Sequence, residues 1–151
     1  MLDLYEELKR LVRELDDRGV PYALCGGLAM AVYHVPRATI DIDLLVPSAA
    51  IDDACSAARD LGYSIEEKPM SFAEGQIEIR RLSKVDAETN DLLSVDFVLQ
   101  SPLLKGVWED RVAVEWDEGT VHVVSRDGLI RMKELRGSGQ DRDDIQALRG
   151  D

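Results

Sequence analysis

At 151 residues, 45% hydrophobic and 32% charged, the chain is long enough for one domain with a real core and too short for two comfortable ones. No apolar run approaches the roughly 20 residues that cross a bilayer, and the N-terminus lacks a signal-peptide pattern, so a single soluble, cytoplasmic domain over 1–151 with no membrane partner is expected. A net charge of −12 excludes general binding of duplex DNA, whose phosphates are held by Lys and Arg displacing counterions.

Leu4, Leu8, Leu11, Val12 and Leu15 fall on one helical stripe, which predicts an amphipathic helix over Leu4 to Asp17 ended by Gly19 and Pro21. Tyr22 to Cys25 is a short apolar run closed by Gly26-Gly27, and Leu28 to Tyr33 reads as a second helix stopped near Pro36. The two glycines therefore sit at a strand-to-helix turn. His34, near that helix's end, reads as a capping cation.

Thr39 to Val46 alternates Ile40, Ile42 and Leu44 against Thr39, Asp41 and Asp43, the period of a strand with one polar face. Pro47-Ser48 then opens a helix with Ile51, Cys55, Ala58 and Leu61 on one face and Gly62 as its stop. Strands are expected at Tyr63 to Glu67, Gln76 to Leu82 and Leu92 to Leu99, with polar turns over Glu67 to Gly75 and Ser83 to Asn90 and a loop over Ser101 to Asp110. Val112 to Trp116 and Thr120 to Val124 form a hairpin across Asp117-Glu118-Gly119, and the chain is helical from Asp127 with a break at Gly137-Ser138-Gly139. The fold class is α/β or α+β, a mixed sheet with helices packed on it. Cys25 and Cys55 read as buried free thiols, Trp108 and Trp116 as packing residues.

Three acidic residues stand out. Two aspartates at i and i+2 on a strand project from one side, about 6.5 to 7 Å apart, so Asp41 and Asp43 can converge on divalent ions over that face. They could also be the solvated face of an edge strand. Asp96 is the acidic residue embedded in the apolar strand around LLSVDFVLQ, where a carboxylate is costly without a partner. That partner is either a metal ion or a buried arginine such as Arg80 or Arg81. Hard Mg²⁺ prefers carboxylate oxygens, and a nucleoside triphosphate brings phosphates that such an ion neutralises. Gly26-Gly27 at a helix start can offer unobstructed N–H groups to those phosphates, or can be a simple tight turn. Arg37, just ahead of the aspartate pair, can add charge-assisted bonds.

Gly26-Gly27, then Asp41-Ile42-Asp43, then Asp96 resembles the motif set of the DNA polymerase β-like nucleotidyltransferase superfamily. The stretch from Leu24 to Val46 looks most like AbiEii-type toxins and related small bacterial nucleotidyltransferases, and the tail, with Lys133, Asp141 and Asp144, is similar to the segment that closes such domains. The resemblance implies a nucleotidyltransferase fold and transfer of a nucleoside monophosphate from a triphosphate such as ATP to an acceptor hydroxyl on an RNA end, a protein or a small molecule. It further implies Asp41, Asp43 and Asp96 as catalytic metal ligands, Gly26, Gly27, Arg37 and Lys133 around the nucleotide, and the Asp141–Asp144 pair as structural. Lys133 read from its neighbours alone belongs to a solvated helix face. Two rival readings are a non-catalytic antitoxin-like module that binds a cognate partner protein and an antibiotic nucleotidyltransferase acting on an aminoglycoside or lincosamide.

Overall fold

The computed structural model describes residues 3–36 and 39–150. Helix α1 (Leu4–Asp17) begins at Asp3, whose carboxylate accepts from the amides of Tyr5 and Glu6, and it buries Leu8, Leu11, Val12 and Leu15. Each fully buried leucine contributes roughly 1.5 to 3 kcal/mol, which fixes the stripe against the sheet. Gly19, at φ +68°, ends the turn where a side chain would be strained.

Strand β1 (Ala23–Cys25) leads directly into α2 (Gly26–Val32), and β2 (Asp41–Val46) returns beside β1. A short 3₁₀ turn at Ser48–Ala50 opens α3 (Ile51–Asp60), which is followed by β3 (Ile65–Glu66), β4 (Met70–Phe72), β5 (Ile77–Val85) and β6 (Leu92–Leu99). After α4 (Lys105–Glu109) come the hairpin strands β7 (Val112–Trp116) and β8 (Gly119–Val123), then α5 (Arg126–Arg136) and α6 (Gly139–Arg149).

Among the described residues the strands form one mixed sheet in the order β3-β5-β6-β2-β1-β8-β7, with β4 added along β5. β2 runs parallel to β6 and β1 parallel to β8, while the other pairings are antiparallel. α1 and α3 pack together and onto the central strands, whose Ile42, Leu44, Leu45, Val95 and Phe97 are fully buried. The buried Glu7 of α1 accepts a hydrogen bond from Tyr63 Oη and pairs with Lys84 of β5, tying the first helix to β5 across the face on which it packs. No helix among the described residues is long and apolar enough to cross a membrane.

The fold class is the expected mixed α/β arrangement, and several boundaries shift. β4 lies inside the stretch expected to be a turn over Glu67 to Gly75, and Ser83–Val85, also expected to be turn, extends β5. α4 replaces part of the loop expected over Ser101 to Asp110. Gly26 and Gly27 belong to the first turn of α2 instead of preceding it. His34 follows the cap residue Tyr33 at φ +63°, the left-handed position that usually ends a helix. Trp116 packs against Tyr5 and Trp108 lies under the Arg111 guanidinium, both packing roles.

Candidate active site

Strand β2 presents Asp41 and Asp43 on one face while Ile42 and Leu44 turn into the core. Parallel pairing with β6 sets Asp43 directly beside Asp96, and Asp41 beside Ser94. Residues paired across neighbouring strands stand about 4.8 Å apart, so two carboxylates from distant parts of the chain meet. Asp41, Asp43 and Asp96 all line one open cleft of about 400 Å³, together with Gly27, Arg81 and Arg136.

The glycine turn reaches this cleft through a close approach. Gly26 sits at φ +66°, and a Cβ built on it would lie 2.0 Å from Asp43 Oδ2. Only glycine lets the strand-to-helix turn lie against that carboxylate. Beneath it Cys25 is buried and free, its thiol pushed well above the usual range by burial and by the Asp43 charge. Cys55 is likewise a buried free thiol.

Asp96 is 5% exposed, and its charge is met from β5. Arg81 lies directly across from it in the antiparallel register, donating from Nε to Oδ1 at 2.7 Å and from Nη2 to Oδ2 at 2.9 Å. Nη2 also stands 3.8 Å from Asp41 Oδ2, so one guanidinium bridges two of the three carboxylates. The arginine partner weighed for Asp96 from sequence is therefore present, and it is Arg81, because Arg80 faces the other side opposite Phe97.

Asp43 receives less relief. Burial, then the charges of Asp96 and Asp41, and a hydrogen bond shared with Asp96 push its carboxyl up to about 7, opposed by Arg136. Asp41 is raised in the same direction by burial and by Asp96, with Arg81 and Arg136 opposing. Crowded carboxylates short of positive charge are suited to a divalent cation, and their oxygens are the donors that Mg²⁺ prefers. Asp41 and Asp43 fit such an ion. Asp96 has both oxygens engaged by Arg81, and among the described residues no three His, Cys, Asp or Glu side chains are grouped as a metal site in this arrangement.

The tail closes the cleft from α5 and α6. Lys133 is 3% exposed and faces inward, away from the solvent, where its ammonium donates to Asp144 Oδ2 at 2.8 Å and lies 3.9 Å from Asp141 Oδ1. Asp141 is fully buried; Arg136 holds it through Nε at 2.8 Å and Nη2 at 2.7 Å, and Ser138 adds its amide and hydroxyl at 3.0 and 2.6 Å. Against the burial that would raise it, these bonds draw the Asp141 carboxyl down to about 2. Arg136, which no motif in the sequence singles out, lines the cleft from the tail. Ser138 and Asp141 form a capping box at the start of α6, and nothing in that local spacing points back to Arg136. Arg37 lies outside the described residues.

A family model described as uncharacterised nucleotidyltransferase matches residues 2–131. No curated protein matches the sequence significantly. Among solved structures, a Thermotoga maritima protein assigned as a nucleotidyltransferase superposes with a TM-score of 0.65 at 13% identity, over 97% of this chain and 92% of that one. The lincosamide antibiotic adenylyltransferase LnuA, solved with lincomycin bound, gives 0.60 at 18% identity over 95% of each chain. ANT(2'')-Ia, in complex with adenylyl-2''-tobramycin, gives 0.60 at 15% identity over 96% of this chain and 87% of that one. At such identities these likenesses establish a shared fold.

Proposed function

This chain belongs to a family of nucleotidyltransferases, and on that premise we propose that it moves a nucleoside monophosphate from a nucleoside triphosphate to an acceptor hydroxyl, in a Mg²⁺-dependent reaction run by Asp41, Asp43 and Asp96. The observation that carries this reading is the convergence of those three carboxylates, distant in sequence, in one cleft beside the Gly26-Gly27 turn. The raised carboxyls of Asp43 and Asp41 support it, since excess negative charge in a half-buried site is stabilised by a divalent cation, which can at the same time neutralise a polyphosphate.

In this proposal Asp41 and Asp43 hold the ion, which when bound neutralises phosphate charge and polarises the reacting phosphoryl group. The Gly26-Gly27 turn, Arg37 and Arg136 meet the phosphates, while Lys133 holds the tail against the cleft through Asp144. The acceptor oxygen attacks the α-phosphorus, the bond to the β-phosphate oxygen breaks, pyrophosphate leaves, and the hydroxyl proton passes to Asp96. In the same reading residues 1–151 form one nucleotidyltransferase domain that acts in the cytoplasm. The assembled Lys133, Asp141 and Asp144 cluster supports kinship with the AbiEii-type enzymes, and with it a toxin–antitoxin setting and a cognate partner protein.

Isothermal titration with ATP, GTP, CTP and UTP, each with Mg²⁺, tests the reading. At least one should bind, and Asp41→Asn and Asp43→Asn should abolish metal-dependent binding in a folded protein. A folded wild-type chain that binds none of the four overturns the proposal.

A further inference from the structure

Behind the carboxylate cleft lies a second hollow. This cavity of about 140 Å³ shares Asp43, Asp96, Arg81 and Arg136 with the cleft, and much of its remaining wall is apolar: Met70 and Phe72 of β4, Ile77 and Ile79 of β5, Val98 of β6 and Met132 of α5. Of the two hollows, Asp41 and Gly27 line only the outer one. Gly26 borders the inner hollow, and Asp43 and both guanidiniums border the two alike, but only the outer cleft adds Gly27 and Asp41 and so holds the complete aspartate pair, which places the polyanionic triphosphate and its ion there. The inner cavity, with Asp96 at its edge, is placed to receive whatever brings the reacting hydroxyl.

Its chemistry narrows what can enter. Three carboxylates (Asp43, Asp96 and Asp141) and three cations (Arg81, Lys133 and Arg136) stand at its wall, and among the described residues Asp43 is the carboxylate without a cation of its own. The three cations are committed: Arg81 to Asp96, Arg136 to Asp141, and Lys133 to Asp144. A polycationic sugar of several rings exceeds about 140 Å³ and would have to strip water from its ammonium groups against methionine, phenylalanine and isoleucine side chains. A nucleobase would place its ring nitrogens and carbonyls against methionine, phenylalanine and isoleucine side chains, at roughly 1 to 3 kcal/mol for each edge atom left unpaired. A compact apolar body meets neither obstacle. The volume is close to that of a dry, apolar cavity of about 150 Å³ that accommodates benzene in another protein.

We propose that this cavity is the acceptor subsite and that it takes an uncharged hydroxyl compound with an apolar body of about one ring, such as a phenol or a cyclic alcohol. The assignment rests on the transferase reading above. In the transfer, the acceptor oxygen bonds to the α-phosphorus of the nucleoside triphosphate and the bond from that phosphorus to the bridging oxygen of the β-phosphate breaks. Pyrophosphate leaves with the electron pair, and the hydroxyl proton goes to Asp96.

The cavity carries its own reporters. Met70 and Met132 line it, whereas Met30 is 1% exposed within the hydrophobic core and serves as an internal control. In the full chain labelled with ¹³C-methyl methionine, phenol or cyclohexanol at millimolar concentration should shift the Met70 and Met132 resonances and leave Met30 unmoved. Tobramycin at the same concentration should shift neither. With an α-labelled triphosphate and Mg²⁺, label should then appear on the phenol. Absence of any phenol or cyclohexanol response, in protein that still binds MgATP, overturns the acceptor assignment and leaves the transferase reading standing. Displacement of phenol by MgATP at Met70 and Met132 gives the cavity to the nucleoside and equally overturns it. Phenol binding in a protein that binds no triphosphate overturns the transferase reading, and the assignment with it. An Ile79→Trp variant that retains a native spectrum should lose the phenol shifts.

Discussion

Arg81 grips Asp96 with two parallel hydrogen bonds, Nε to Oδ1 at 2.7 Å and Nη2 to Oδ2 at 2.9 Å, while remaining 3.8 Å from Asp41. A planar guanidinium thus substitutes for part of the positive charge that the carboxylate cluster requires, from a strand that contributes no carboxylate of its own to the cleft. Arg81→Ala leaves Asp96 buried and unpaired beside Asp43. Breaking a buried pair costs roughly 3 to 5 kcal/mol, and because the Arg81 side chain keeps 29% of its exposure the lower end applies. Urea unfolding should show that loss without Mg²⁺ and a smaller loss with it. Arg81→Lys should recover only part, since an ammonium cannot make both parallel bonds. Equal stability of Arg81→Ala and wild type in the absence of metal contradicts the account.

The acid–base balance of Asp43 gives a second outcome. Its folded carboxyl is raised to about 7 from 3.8 by burial, by its neighbours Asp96 and Asp41, and by its bond with Asp96. Between those values the folded protein holds a proton that the unfolded chain has released, so the folded state binds more protons and stability falls as pH rises. Metal-free protein should therefore lose stability from Asp43 as pH climbs from about 4 through 7, by an amount on the order of a few kcal/mol. Melting temperatures in chelator from pH 5 to 8 should fall more steeply for wild type than for Asp43→Asn. Divalent metal should flatten the wild-type slope and release protons on binding. Parallel slopes for the two proteins would show that Asp43 titrates no differently in the fold.

Gly26 and Gly19 separate strain from contact. Both have positive φ, +66° and +68°, yet a Cβ on Gly26 would meet Asp43 Oδ2 at 2.0 Å while one on Gly19 would meet nothing within 4 Å. Gly19→Ala should cost only backbone strain, about 1 to 2 kcal/mol, with nucleotide affinity unchanged. Gly26→Ala adds a clash that pushes the Asp43 carboxylate aside. Its metal-dependent nucleotide affinity should drop at least ~100-fold, in keeping with the several kcal/mol that such ion contacts supply. Calorimetric titration of both variants checks the contrast, and comparable affinities would remove any special role for the Gly26 contact.

Much of this site could be read from residue order, and the unread part has a common cause. The alternation through Asp41 to Val46 and the lone charge at Asp96 are local signals, and both strands form where they were expected. The parallel register that brings Asp43 beside Asp96 is a tertiary event with no local trace. Arg80 and Arg81 are adjacent on one strand and therefore face opposite sides, so the choice between them depended on a pairing that only the sheet defines. Met70-Ser71-Phe72 has too few residues to display a period, and it becomes a strand because β5 offers it an edge. α4 spans five residues, barely one turn, which is equally too short for helical periodicity to show. Lys133 looked like a surface residue among Arg131, Glu134 and Arg136, and its burial follows from α6 folding back to supply Asp144 and Asp141.

That folded-back tail yields the last expectation. Asp141 is fully buried, and its carboxyl is drawn down to about 2 from 3.8 because bonds from Arg136 and Ser138 outweigh the burial that opposes them. Between those values the unfolded chain takes up the proton that the folded chain refuses, so the contribution of Asp141 is fully present above about pH 4 and disappears as pH falls toward 2. Asp141→Asn removes the carboxylate that both Arg136 and the Ser138 amide address, at a cost of roughly 3 kcal/mol at neutral pH. The variant should also show a shallower acid transition between pH 4 and 2, followed by circular dichroism. Since Arg136 lines the carboxylate cleft, releasing it from Asp141 should weaken nucleotide binding by about tenfold even where the domain stays folded. Asp144→Asn, which loosens Lys133 without touching the Arg136–Asp141 pair, should destabilise the tail with a smaller effect on affinity. If the two variants instead lose nucleotide affinity equally, Arg136 has no particular place in the cleft and the tail acts only as a support.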